Sequence, residues 1–414
     1  MQHDGNKMTD QPAPPQTPLL DTVHPDRVYD IPQTIRAMRA AGVSPAGAFF
    51  EWLKLRCQRN RLRPGDYLAM RLWDRTLYPR ARLEDFADTL NAIKKLYPAA
   101  NFRTDMNALA LSKIASDAIL AAHGLPVVPL LNLHTTRVFP SPGRTASTQA
   151  LESFLLNGLS CPAFGKPLWG TQSLGSISLA SRDAAAGTVA LQDGRIVKAA
   201  DLAREIHARY GFEGYIFQPK LAPHEAVRAI CGDRVATVRV VTIMKENVPY
   251  VLRTCWKIPA GANMADNFWR RGNILAGIDM GSGTVTRALT RSGADLRIVE
   301  AHPDTGTRLA GLKVPLWEEI CKTALFGMAA MGAFGIIGWD IAATADGPVI
   351  IDVNETPDPA LPQMADGKGL ADATFMEFLA GRRAERKLWQ EAVRRYMKKE
   401  HSAIFSFTAA KDAQ

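Results

Sequence analysis

The run Gly335-Ile-Ile-Gly-Trp-Asp-Ile-Ala-Ala-Thr-Ala-Asp-Gly-Pro-Val-Ile-Ile-Asp-Val-Asn354 constrains this chain more than any other stretch. Two apolar runs flank Ala345-Asp346-Gly347, the pattern of a β-hairpin. With a three-residue loop and Gly347 at positive φ, Asp340 lies opposite Asp352. Residues opposite one another across a ladder, and residues two apart on a strand, share a sheet face, so Asn354 joins them. Like charges facing each other destabilise a ladder unless something neutralises them. Three oxygen-bearing side chains at this density suit a hard cation such as Mg²⁺. A two-residue Asp346-Gly347 turn would slip the register by one and separate the aspartates. An ordinary hairpin with two exposed acids is the alternative reading.

Composition narrows the class. A chain of 414 residues, 47% hydrophobic and 22% charged, is long enough for a sizeable core and two or three domains or subdomains. Its net charge of +9 favours an anionic partner: nucleotide, phosphorylated substrate, nucleic acid or membrane surface. Much of the excess lies between Lys54 and Arg82, a density that also fits a solvated helical face. The five cysteines are scattered, with no CxxC pair, which argues against a disulfide framework or a zinc site and fits a reducing compartment. No apolar run reaches the roughly 18 residues of a membrane span, and the polar N-terminus lacks a signal-peptide core, so the expected location is the cytoplasm.

Residues 1–28, polar and proline-rich, are expected to be disordered. Helical patterning follows over 29–105, punctuated by Pro64-Gly65 and Pro79. Beyond it the spacing predicts a helix from Ala108 to His123, one near Thr148–Leu156, one from Val197 to Tyr210 and one from Leu316 to Met331. Strands are predicted at Ala163–Phe164, Tyr215–Phe217, Val235–Met244 and Tyr250–Ile258, and a basic helical tail over 371–414. This is an α+β mixture rather than a regular βαβ series.

Several residues stand out chemically. Lys166 opens a loop with Gly170, Gly175 and three hydroxyls; its glycines would let backbone N–H groups approach an anion, although a surface hairpin explains it equally. Lys113, on the apolar-periodic helix, is either solvated or converges with Lys166 on the same phosphates. The segment Tyr215 to Glu225 leaves a strand and is held extended by Pro219 and Pro223. Its backbone near Gln218 and Leu221 could read an adenine edge and Glu225 a ribose; an interdomain connector is the alternative. Arg239 is a charge within an apolar strand, so it faces a structural partner or an anion-lined cleft. Asp266-Asn267 and Arg270–Asn273 form a polar loop that either contacts substrate or is simply solvated.

Taken in order, Lys113, the Lys166 loop, Gln218–Leu221, Arg239 and Asp340…Asp352-Val-Asn354 resemble the ATP-grasp superfamily. The spacing of Val238-Arg-Val-Val-Thr242, Asp266-Asn267 and Ala276-Gly-Ile-Asp279 looks most like the sugar-transfer-associated branch, as does the region around Pro64-Gly-Asp-Tyr-Leu68. The chain departs from the usual pattern in carrying Asp352 for a glutamate, Gln218-Pro219 at the hinge, and Gly272-Asn273 for paired glycines.

The resemblance implies an ATP-grasp core over 106–370, with an ATP-loop lobe at 161–220 and a metal and catalytic lobe at 221–365. ATP would lie between two α+β lobes, its phosphates on Lys113, Lys166 and the loop of Gly170 and Gly175. Gln218 and Leu221 would hold adenine, and Glu225 ribose. Asp340, Asp352 and Asn354 would bind Mg²⁺, and Arg239 would stabilise the transferring phosphoryl group. The implied reaction joins a small-molecule carboxylate to an amine (or thiol) through an acyl phosphate, with a saccharide-linked substrate suggested by the branch name. Two rivals stand beside it: a non-catalytic nucleotide-binding scaffold, and a nucleic-acid binder using the Lys54–Arg82 stretch, which lacks any reader motif.

Overall fold

A computed structural model describes residues 18–21, 30–58, 61–137, 143–170 and 174–411. Except for 18–21, the tail expected to be disordered lies outside the described residues. Two compact units emerge. One holds residues 131–170 and 174–217 with 18–21; the other holds 30–130 and 218–411.

The first unit is built on a seven-stranded sheet: β1 (Asn132–His134), β2 (Arg144–Thr145), β3 (Ala163–Pro167), β4 (Ile177–Asp183), β5 (Thr188–Leu191), β6 (Ile196–Lys198) and β7 (Tyr215–Pro219), in the order β2-β1-β7-β3-β4-β5-β6. Leu202 and Ile206 of the helix Ala199–Tyr210 pack with Leu179, Val189 and Phe217 in its core. That helix starts two residues later than expected, because Val197 pairs with Val189 as a strand residue.

The second unit carries β8 (Thr237–Lys245), β9 (Val248–Ile258), β10 (Ile274–Asp279), β11 (Thr284–Ser292), β12 (Asp295–Ile298), β13 (Ile336–Thr344) and β14 (Gly347–Asn354), ordered β12-β11-β10-β9-β8-β13-β14. Strand alternation gives the sheet two different faces. Val240, Trp256, Ile337, Trp339 and Ile341 pack against Ile320, Ala324 and Met328 of the helix Trp317–Ala330. Opposite them, Leu275 and Leu289 meet Tyr67, Trp73 and Phe86 of the N-terminal helical region, so that region is a covering layer for the sheet. Next to it, Val241, Ile243 and Ile336 pack with Tyr97, Ala100 and Phe375.

Two local outcomes differ from expectation. The helix expected from Ala108 to His123 is broken at Ser112, which is extended (φ −88°, ψ 108°) and caps a second helix, Lys113–Ala122, by accepting the Ala115 N–H. Serine competes with the helical backbone for its own hydrogen bonds and so favours a cap. In the hairpin, Thr344 pairs with Gly347 (φ +118°) around a two-residue Ala345-Asp346 loop, and a β-bulge leaves Ile351 between the Ile341–Ile350 and Asp340–Asp352 pairs. The aspartates face one another as expected, but the bulge sets that register. It also sends Ile350 into the core and Asp352 to the opposite face.

Asn101 ties the hairpin to the N-terminal region. Its amide oxygen accepts the N–H groups of Gly335 (2.8 Å) and Ile336 (2.9 Å), and its amide nitrogen donates to the carbonyls of Ile336 (3.0 Å) and Glu355 (2.9 Å). These four bonds satisfy backbone groups at both open ends of the hairpin. Replacing a buried group of this kind strands its partners. Asn101→Ala is expected to lower unfolding stability by about 2–4 kcal/mol, measured by urea denaturation at constant m.

Candidate active site

One face of the second sheet carries Thr237, Arg239, Cys255, Lys257 and Asp340, and three buried charges, Arg239, Lys257 and Asp340, meet there. Arg239 on β8 stands directly opposite Asp340 on β13, and Asp340 opposite Asp352 on β14. Arg239 donates Nε to Asp340 Oδ1 at 2.7 Å and Nη2 to Oδ2 at 2.9 Å, a two-pronged pairing. Lys257 Nζ reaches the same carboxylate at 3.1 Å. Asp266, from the loop between β9 and β10, accepts the Thr237 N–H at 2.9 Å and its hydroxyl, and lies 3.7 Å from Lys257.

Burial alone would raise the Asp340 carboxyl, but Arg239 and Lys257 outweigh it and hold it far below the usual carboxylate range. Burial would lower the Lys257 ammonium; Asp266 and Asp340 reverse this and raise it. Asp266 is raised, because burial dominates over the help from Lys257. Asp340 and the two cations therefore stay charged.

Asp352 sits in a different environment. Its ion pair to Lys113 Nζ at 3.2 Å is partly open, with side chains 29% and 15% exposed. Lys113 opens the helix Lys113–Ala122, and the Ser112 break aims that helix start at β14. Asn354, two residues on, donates Nδ2 to the Gly338 carbonyl at 3.4 Å. Glu355 follows, half-buried; burial raises its carboxyl against hydrogen bonds from its own backbone N–H and the Thr356 hydroxyl. Gly338 is required here, since a Cβ would collide with the Pro357 ring that closes over the strand.

An oxygen set of this kind fits a hard cation. Asp352 and Asn354 share a face, and Asp340 has acceptor capacity beyond its three cationic contacts. Among the described residues no three His, Cys, Asp or Glu side chains gather into a self-sufficient metal site. A bound cation would take its other ligands from water and phosphate, the habit of Mg²⁺.

The hinge segment is stitched to the turn end of the same hairpin. Pro223 bridges Thr344, His224 N–H donates to Ala343 O at 3.0 Å, and Ala345 N–H donates to Ala222 O at 3.2 Å. Gln218 is buried and donates Nε2 to the Val128 carbonyl at 3.2 Å; Leu221 is half-buried, and Glu225 is exposed at the start of the helix Glu225–Cys231. Lys166, Gly170 and Gly175 belong to the first unit. Lys166 lies within β3, and Gly175 (φ +75°) packs where a Cβ would strike the Tyr210 hydroxyl. The structure thus gathers Lys113, Arg239, Asp340, Asp352 and Asn354 on one sheet face.

The sequence reading missed Lys257, and it placed Asp266 in a polar loop without its ties to Lys257 and Thr237. The available signal was a lysine in an apolar strand, the same anomaly that marked Arg239. The polar loop 259–273 is internally organised: Asn273, fully buried, accepts the Ala260 N–H and donates to the carbonyls of Ala265 and Asn267. In the basic stretch, Arg63 pairs with Asp66 and Asp88, Arg71 with Asp74 and Asp295, Arg75 with Glu51, and Arg82 with Glu84. Those four arginines are matched by acids, which takes them out of any open cationic face of the kind a nucleic-acid binder needs.

Residues 197–376 match the model of a family described as sugar-transfer associated ATP-grasp. Among solved structures, the D-alanine–D-alanine ligase from Coxiella burnetii aligns at 13% identity and TM-score 0.42, over 72% of this chain and 63% of that one. Biotin carboxylase from Campylobacter jejuni aligns at 11% and 0.40, over 67% and 47%. An L-amino acid ligase from Bacillus licheniformis aligns at 14% and 0.32, over 63% and 43%. The chain spans less than two thirds of the length of each of these structures. No curated protein matches it. Among the described residues, no helix is long and apolar enough to cross a membrane.

Asp340→Ala leaves Arg239 and Lys257 buried without their shared acid and is expected to cost about 3–5 kcal/mol of stability. Asp352→Ala, at a partly open pair, costs about 1 kcal/mol or less. Denaturant titration of both variants checks the contrast. Because Asp340 is depressed when folded, its contribution is full above 3.8 and lost as pH falls below, so the Asp340 deficit should shrink in that acid range.

Proposed function

We propose that this chain, whose residues 197–376 match the sugar-transfer associated ATP-grasp model, has the α+β ATP-grasp fold and is an ATP- and Mg²⁺-dependent ligase joining a carboxylate to an amine. The observation that carries the reading is the Asp340–Asp352 ladder pair set among Arg239, Lys257 and Lys113 on one sheet face. Acids and cations converging on one surface suit a polyanion delivered with a divalent ion.

On this reading Asp352 and Asn354 hold Mg²⁺, and Asp340 completes the set from the facing strand. The ion supplies neutralisation of phosphate charge. Arg239, its guanidinium fixed in orientation by Asp340, keeps Nη1 as the edge to present to the transferring phosphoryl group. A donor already aligned costs no reorganisation when charge develops. Lys113, at a helix start beside Asp352, contacts phosphate, as do Lys166 and the loop of Gly170 and Gly175. Gln218 and the backbone at Leu221 take adenine, and Glu225 takes ribose. The substrate carboxylate attacks the γ-phosphorus, ADP leaves, and the acyl phosphate is opened by the amine with release of phosphate. The family's description favours a saccharide-linked substrate, and the proposed location is the cytoplasm.

The test is ATP consumption with Mg²⁺ across pools of small carboxylates and amines, with the nucleotide product identified. ADP and phosphate formed only with a particular pair support the mechanism; AMP rejects it. Binding of Mg·ATP without turnover in any pool favours the scaffold reading. Asp352→Ala is expected to abolish turnover while the variant stays folded, and unchanged turnover by that folded variant removes the metal assignment.

A further inference from the structure

The helix Pro45–Arg56 has two apolar faces. Inward, Ala48 and Leu55 are buried in the N-terminal core, and Trp52 donates its indole N–H to the Leu62 carbonyl at 3.0 Å. Outward, Ala46, Phe49, Phe50 and Leu53 follow the i, i+3, i+4, i+7 spacing that defines one side of a helix. Phe50 is 66% exposed, Phe49 53% and Leu53 40%, and the two phenylalanine rings stand edge-on at 5.7 Å. A helix apolar on both sides belongs in a covered environment, and contiguous exposed apolar surface marks a protein or membrane contact.

Among the described residues, the charges on the outer side of this helix and just after it are cationic. Lys54 and Arg56 lie in the last turn, and Arg61, exposed, follows. The helix's one acid, Glu51, is turned to Tyr67 and Arg75. Glu84, within electrostatic reach of Lys54, is engaged by Arg82. An aromatic and aliphatic face with Lys54, Arg56 and Arg61 beside it is complementary to an anionic surface with an apolar interior.

We propose that this helix face docks on an anionic lipid surface, with Phe49, Phe50 and Leu53 entering the headgroup–acyl boundary and Lys54, Arg56 and Arg61 meeting lipid phosphates. A second copy of the chain is disfavoured as occupant, because self-contact would bring two cationic rims together. The proposal is independent of the ligase reading.

The experiment mixes the full chain with vesicles of phosphatidylcholine alone, or of phosphatidylcholine with phosphatidylglycerol, and reads co-sedimentation. Binding is expected only to the anionic vesicles and weakens as salt rises. Phe49→Ser with Phe50→Ser lowers that affinity on the order of 100-fold. Lys54→Gln with Arg56→Gln lowers it roughly 30-fold. Thermal unfolding of each variant stays at the parent value, since the changed side chains are exposed. No binding to anionic vesicles, or equal binding by the phenylalanine variant, overturns the proposal. So does a dimer, seen by sedimentation velocity, that the phenylalanine variant dissolves.

Discussion

Much of the second unit depends on the pairing of Arg239 with Asp340. Two carboxylates facing each other across a ladder repel, and one of them is almost fully buried. The sheet resolves this through strand order. β13 lies between β8 and β14, so the residue opposite Asp340 on one side is an acid and on the other an arginine. The guanidinium fork and the Lys257 ammonium keep Asp340 ionised in a place where burial alone would protonate it. Lys257 is held in turn by Asp266, whose loop is organised by Asn273.

This charged cluster needs a cover as well as a counter-charge. Water would weaken each pair, and the N-terminal helical region with the segment after β14 keeps it away. Asn101 joins the two covering pieces to the hairpin by four backbone bonds, and Gly338 lets the Pro357 turn close over the strand. The N-terminal region is therefore part of the environment that sets the electrostatics of the site. Its other side is the contrasting case: the outer face of Pro45–Arg56 leaves Phe49, Phe50 and Leu53 exposed beside Lys54 and Arg56.

The same contrast separates Asp340 from Asp352. Twelve positions apart in a symmetrical hairpin, they read alike in the sequence. In the fold Asp340 is enclosed and triply contacted, while Asp352 is partly open and holds one lysine. An acid with a single exchangeable partner can trade it for another cation at small cost, whereas removing one partner from a buried cluster leaves an uncompensated charge. Asp352 is thus suited to ligand exchange and Asp340 to holding cations in place.

The sequence by itself determined the α+β class, the hairpin, and Arg239 as a charge in need of a partner; it led to the facing of Asp340 and Asp352 only through a three-residue loop that the hairpin does not have. These follow from strand periodicity and the cost of burying charge, which are local or nearly local rules. Of the fourteen strands among the described residues it predicted six, β3, β7, β8, β9, β13 and β14, and its helices differ where serine chose a cap at Ser112 and where Val197 found a strand partner. Only the tertiary structure decided that a bulge at Ile351, rather than loop length, sets the register. Only it brought Lys257 and Asp266 to Asp340, and only it matched Arg63, Arg71, Arg75 and Arg82 of the basic stretch to acids as distant as Asp295. The physical reason is that a long polar side chain carries no local signal of its partner. Whether a lysine is solvated or buried against a carboxylate depends on which strands become neighbours, and that is a property of the whole sheet.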